Sequence, residues 1–203
     1  ATLIETLATV LHAQQRAAIA AGEAVVVLGQ GAAGLLHTQL AKLAGATPVI
    51  AVSRSPWKLD LARRMRADHT LVATGQELVD EVRRLTGGLG ADVVVDAAGS
   101  PELVGQAMAM LRPGGRLLLY AVSHRPVPDF TTFPVYYKEL TLLGSRAFVA
   151  GDFEPAIRLV ADGLIDLDGL ITASYPLDRV ATAFEAYERA PEGVLRMVIV
   201  PEG

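Results

Sequence analysis

Six short runs rich in Val, Ile and Leu recur along the chain: "AVVVLG", "PVIAVS", "HTLVAT", "DVVVDAAG", "RLLLYAV" and "LTLLGS". Between them lie longer segments with apolar residues at helical spacing, such as "GLLHTQLAKLAG", "PWKLDLARRMRA", "QELVDEVRRLTGG" and "PELVGQAMAMLRPGG". A run that is apolar on both faces, followed by a helix and another such run, buries itself as a strand of a parallel sheet covered on both sides. The alternation therefore predicts an α/β chain with a doubly wound, six-stranded parallel sheet and helices on both faces. The opening "ATLIETLATVLHAQQRAAIAAGE" is apolar at helical spacing, carries Glu5 and lacks a basic leader region, so it reads as a helix packed on the core. Past residue 150 the rhythm changes to a helix, an extended "LITASYPLD", the helix "RVATAFEAYERA" and a closing strand "VLRMVIVPEG". These last pieces show no obvious partner strands in this chain. The expected division is 1–150 for the sheet with its lead-in helix and 151–203 for the last sheet helix and the tail.

Charge and cysteine usage narrow the function classes. A net charge of -4, with no basic cluster beyond "RR" pairs, argues against a nucleic-acid surface or an anionic membrane patch. No window approaches the roughly 18 consecutive apolar residues of a membrane span. With zero Cys, disulfides and thiolate-bound zinc are excluded from these 203 residues, and the cytoplasm is the default compartment.

The stretch "VVVLGQGAAGLL" places Gly29, Gly31 and Gly34 in a G-x-G-x-x-G spacing, after a strand and at the opening of a helix. In such a unit the first glycine permits the tight turn, the second lets the backbone approach a pyrophosphate, and the third allows close packing of helix on strand. The amides of Ala32 and Ala33 would then face the phosphates. This is the Rossmann arrangement, and it predicts a dinucleotide site. About 20 residues on, where an NAD site places Asp or Glu on the ribose, the chain has "VSRSPWK". Ser53 stands at the acidic position, and Arg54 and Lys58 supply positive charge and donors for a 2′-phosphate. The expected cofactor is NADP, with NAD as the alternative if Ser53 merely caps the next helix and Arg54 is solvated. Trp57 either covers the adenine or packs.

These motifs, with "ADVVVDAAGSPELVGQAMAMLRPGGRLLLYAV" and "LTLLGSRAF", resemble the cofactor-binding half of the medium-chain, zinc-type alcohol and polyol dehydrogenase family, from about Glu5 to the C-terminus. The resemblance implies that Gly29, Gly31, Ala32, Ala33 and Gly34 hold the pyrophosphate, and that Ser53, Arg54 and Lys58 hold the adenosine ribose with its phosphate. It implies that Ala98 and Gly99 border the cleft, that Ala121, Val122, Ser145 and Ala147 line the nicotinamide, and that Arg196 reaches the pyrophosphate. It further implies a homodimer through the sixth strand, and a tail that returns to an N-terminal catalytic domain carrying the zinc. The chain reads as a truncated or excised C-terminal part of a longer enzyme. The family's "EPLA" segment appears as "ETLA", Glu5 to Ala8, with Glu5 either near the zinc or on a helix surface.

Other chemistries find no support. His12, His37, His69 and His124 have no HxxxH or HExxH spacing, so no metal ligand is assigned. No Tyr is followed four residues on by Lys, no GK[ST] follows the glycine turn, and no G-x-S-x-G elbow occurs. Asp96, ending a buried strand, is expected to satisfy nearby backbone donors. No catalytic residue is assigned to these residues, which alone are expected to bind cofactor and turn over nothing. Two readings stand: the NADP(H)-binding portion of a dehydrogenase acting on an alcohol, polyol or sugar, and a stand-alone NADP(H)-binding sensor or docking module.

Overall fold

In the computed structural model, which describes residues 2–189 and 192–201, the six runs pair in parallel as one sheet. In chain order the elements are α1 (Ile4–Ala17), β1 (Val25–Leu28), α2 (Ala32–Leu43), β2 (Val49–Val52), α3 (Pro56–Arg64), β3 (His69–Leu71), α4 (Gly75–Leu85), β4 (Ala91–Asp96), α5 (Pro101–Met110), β5 (Leu111–Leu119), α6 (Phe133–Tyr137), β6 (Thr141–Gly144), α7 (Phe153–Ala161), β7 (Ala173–Pro176), α8 (Val180–Glu188) and β8 (Met197–Val200). The spatial order β3-β2-β1-β4-β5-β6 reverses direction between β1 and β4. That reversal opens a crevice beyond the carboxyl ends of these two strands, where ligands of such sheets bind. Leu28, at the end of β1, lies between Val52 of β2 and Asp96 of β4.

Strand pleating explains why the runs are apolar throughout. Val26 and Leu28 point into one core with Leu78 and Val79 of α4 and Val104 and Ala107 of α5. Val25 and Val27 point into the other, with Ala13 and Ala17 of α1 and Ala41 of α2. All four residues of β1 are at most 1% exposed, and burial of each is worth about 1.5–3 kcal/mol. The lead-in helix does pack on the core: Leu3, Leu7, Ala8 and Val10 join Leu35 and Leu36 of α2 and Ala156 of α7. His12 Nδ1 lies 3.1 Å from Oδ2 of the buried Asp152, pinning α1 to the turn before α7.

Three details differ from the periodicity. The fifth helix ends at Met110 rather than at the glycines, and β5 begins at once; its early residues include Gly114 at φ +72°, and the pairing with β4 shifts between Ala91 and Val93. One side chain serves three carbonyls at that helix end: Lys138 Nζ donates to the oxygens of Met108, Ala109 and Leu111 at 3.0, 3.1 and 2.8 Å. A cation at a helix C-terminus also meets the negative end of its dipole. Second, "FPVYY" before the edge strand forms the short helix α6.

The third difference is a correction. The tail strands, which showed no partner in the sequence, pair with each other: Ala173–Pro176 runs parallel to Met197–Val200, with Ser174 opposite Val198. α8 supplies the crossover that a parallel pair requires, so the tail contains a small β-α-β unit of its own.

Candidate functional site

The turn after β1 is built to bring backbone close to a ligand. Gly29 sits at φ +88°, and its amide donates to the Val52 carbonyl at 2.9 Å. A Cβ on Gly29 would stand 3.0 Å from Ala98, and one on Gly34 only 1.9 Å from the Gly29 oxygen. The first and third glycines are thus demanded by sterics, one by φ and one by helix-on-turn contact. Gly31 is the N-cap of α2 and has no side chain to cap it, so the first amides of the helix, those of Ala32 and Ala33 included, lack intrahelical acceptors. They form a ready seat for an anion.

Two side chains that the motif reading passed over hold this turn. Gln30, 1% exposed, donates from Nε2 to the Val27 carbonyl at 3.1 Å, and its Oε1 accepts from Thr38 Oγ1 at 3.1 Å. A buried amide between two glycines braces the loop from beneath. The sequence signal was a polar residue where the flanking run is wholly apolar.

Around the turn lie three clefts. The first, about 490 Å³, is walled by Gly29, Gly31, Ser53, Arg54, Lys58 and Ala98. Ser53 Oγ accepts from the Ser55 amide at 3.2 Å, which shapes the turn into α3. Among the described residues neither Arg54 nor Lys58 is paired with a carboxylate, and Lys58 Nζ stands 5.4 Å from the Trp57 ring centroid. Trp57 itself packs against the core beneath α3. The second cleft, about 540 Å³, brings Gly31, Ala32, Ala33 and Gly34 opposite Arg196 and Tyr187.

The third cleft, about 530 Å³, lies beyond β4 and β5 and is bordered by Asp96, Gly99 and Ala121. Gly99 has φ +68°, and a Cβ there would meet Ala121 at 3.0 Å. Asp96 behaves as expected: Oδ1 accepts from the Ala98 and Gly99 amides, both at 3.0 Å. Burial pushes its carboxyl up, against the lowering effect of those two bonds. Val122, Ser145 and Ala147 are not on these walls. Val122 is exposed, Ser145 Oγ is buried without a hydrogen-bond partner, and Ala147 adopts a left-handed φ of +54°.

Behind the turn runs a buried polar cluster. Gln14 Nε2 donates to the His37 carbonyl at 2.6 Å and lies 3.2 Å from its Nδ1. His37 is fully buried, and burial lowers its pKa from 6.5 to about 3. Its ring stands edge-to-face with Tyr120, centroids 4.6 Å apart. Burial pushes the Tyr120 phenol up, opposed by its 2.8 Å hydrogen bond with Thr9 Oγ1.

Comparison with known proteins fits this geometry. Residues 32–162 match the family model described as zinc-binding dehydrogenase. The chain is 32% identical to an alcohol dehydrogenase of Cupriavidus necator, over 97% of this chain and 54% of that protein. It is 28% identical to a sorbitol dehydrogenase of Bacillus subtilis, over 99% of this chain and 57% of that one. Its fold superposes with a TM-score of 0.90 on a zinc-binding dehydrogenase of Sinorhizobium meliloti solved bound to NADP, at 32% identity over 98% of this chain and 58% of that one. The chain thus spans a little over half the length of these relatives.

Proposed function

The chain belongs to the zinc-binding dehydrogenase family, and on that premise we propose that it is the NADP(H)-binding portion of an oxidoreductase that moves a hydride between the nicotinamide and an alcohol, polyol or sugar. The observation that carries the reading is the uncapped N-terminus of α2 beneath a turn in which Gly29 and Gly34 leave no room for side chains. Bound there, the dinucleotide would supply or accept the hydride. Gly29, Gly31, Gly34 and the amides of Ala32 and Ala33 would seat its diphosphate from one side and Arg196 from the other. Ser53, Arg54 and Lys58 would hold the adenosine ribose and its 2′-phosphate, with two cations and no carboxylate among these three to repel it. Ala98 and Gly99 would border the crevice. Ala121, Val122, Ser145 and Ala147 stand at or just past the ends of β5 and β6, the region proposed for the nicotinamide.

The chain contains no Cys, and the described residues contain no group of three His, Asp or Glu that could hold an ion. These residues alone are expected to bind the dinucleotide without turnover. The division at residue 150 is proposed on the change of rhythm from the sheet to the tail unit. A cytoplasmic setting is proposed from the zero-cysteine composition. A homodimer through β6 is proposed because β6 is the sheet edge and α6, just before it, exposes Phe133, Tyr136 and Tyr137.

One observation favours the alternative of a stand-alone NADP(H)-binding module: the tail strands complete each other. Against it, Phe184 and Tyr187 of α8 remain 66% and 60% exposed, an apolar surface suited to a further domain. Titration with NADPH and NADH tests the cofactor reading. NADPH is expected to bind at least about tenfold tighter, roughly 1.4 kcal/mol, and Arg54→Ala with Lys58→Ala is expected to erase that preference. Equal affinities in the unaltered protein would overturn the preference for NADP, and tighter NADH binding would return the site to NAD.

A further inference from the structure

Arg196 and Thr6 stand 190 positions apart in sequence, yet Arg196 Nη2 donates to Thr6 Oγ1 at 3.2 Å. Thr6 is buried, and its hydroxyl lies 3.4 Å from Glu5 Oε2, an acceptor for its proton. The hydroxyl can therefore offer its lone pair to the guanidinium while spending its hydrogen elsewhere. The backbone of Arg196 is fixed as well: its carbonyl accepts from the Thr172 amide at 2.8 Å and from Thr172 Oγ1 at 3.2 Å. Among the described residues Arg196 has no ion-pair partner within 4.0 Å, and it lines the same cleft as Ala32, Ala33 and Gly34.

The reach of Thr6 depends on where α1 sits. Thr9 Oγ1 donates to the Thr6 carbonyl at 2.7 Å, so its single hydrogen is taken and the 2.8 Å contact with Tyr120 must be donated by the phenol. That bond ties α1 to the end of β5. Gln14 ties the same helix to α2 through both the carbonyl and Nδ1 of His37. α1, α2 and the end of β5 are thereby tied together, and Arg196, held by Thr6, lines the cleft at the start of α2.

We infer that Thr6 is a positioning residue for the diphosphate seat, holding the Arg196 guanidinium toward the first amides of α2, with Tyr120 and Thr9 fixing the helix that carries it. The inference rests on the diphosphate reading of Arg196 given above. It is tested with two probes, NADPH and adenosine 2′-monophosphate, which has the ribose phosphate but no phosphate at the 5′ position. Arg196→Met is expected to weaken NADPH about tenfold and leave the monophosphate unchanged. Thr6→Val should weaken NADPH three- to fivefold without touching the monophosphate, Thr6→Ser should restore NADPH binding, and the Thr6→Val, Arg196→Met pair should be no weaker than Arg196→Met alone.

Monophosphate binding shows in each variant that the fold is intact. Tyr120→Phe, which deletes only the phenol oxygen, is expected to follow Thr6→Val in direction with a smaller effect. If Arg196→Met weakens NADPH while Thr6→Val is silent, or if the two losses add, the positioning role is overturned and the diphosphate reading survives. An unchanged NADPH affinity in Arg196→Met overturns both.

Discussion

Two parallel β-α-β arrangements stand in the same chain, and they are covered very differently. β1 and β2 have helices on both faces, and every residue of both strands is buried. β7 and β8 share a ladder of the same kind but carry their crossover helix with little above it: Ile199 and Val200 are 37% and 48% exposed, and Ala183 is the one residue of α8 that is buried. Hydrogen-bonded pairing therefore does not by itself make a core. The second layer does, and it explains why the sheet region can be read as self-sufficient while the tail presents apolar surface.

Substitutions probe that contrast in descending order. Ile50→Ala, in a fully buried β2 position, is expected to cost about 2–5 kcal/mol in a denaturant titration. A smaller loss would mean that the sheet is less tightly layered than its burial implies. Gly34→Ala must push the Gly29 carbonyl aside, for about 1–3 kcal/mol of stability together with loss of NADPH binding in the same titration. Stability lost with binding retained would show that the turn can reshape around the ligand.

The third probe is pH. Unfolded, His37 takes a proton below its ordinary 6.5; folded, it does so only near 3. Between those values the unfolded state binds the extra proton, so stability falls as pH falls, by up to about 1.4 kcal/mol per pH unit from this residue. His37→Gln should flatten that slope in stability curves taken from pH 7 to pH 4. An unchanged slope would place the acid sensitivity in other groups. The smallest effect belongs to the tail: Phe184→Ala should change stability by no more than about 0.5 kcal/mol. A loss like that of Ile50→Ala would mean that α8 is buried in the protein as it exists in solution.

The unequal coverage also explains what sequence could tell. Val25–Leu28 and Val49–Val52 are apolar without interruption because both faces are buried, so the sheet and its parallel sense could be read directly. Gly29 and Gly34 were legible because sterics leave no other residue. Arg54 and Lys58 were legible as charge, close after Ser53, which stands where a carboxylate is expected. The mutual pairing of 173–176 with 197–200 was not, since strands four residues long and half-exposed carry no periodic signal that names their partner. Nor was the support of Gln30 by Thr38, or of Arg196 by Thr6, because those bonds depend on side-chain reach after the fold is made. Ser145 and Ala147 show the limit of position alone: both follow β6, yet neither lies on the walls of the three clefts.

The contact between Thr6 and Arg196 has a temporal side. A ribosome releases α1 and the whole of the six-stranded sheet before β8 emerges, and at roughly 5–20 residues per second the remainder takes several seconds. During that interval the first turn of α2 exists without the Arg196 side chain that later lines its cleft, so a nascent chain can form its sheet first and gain the guanidinium proposed for the diphosphate only once β8 has been made.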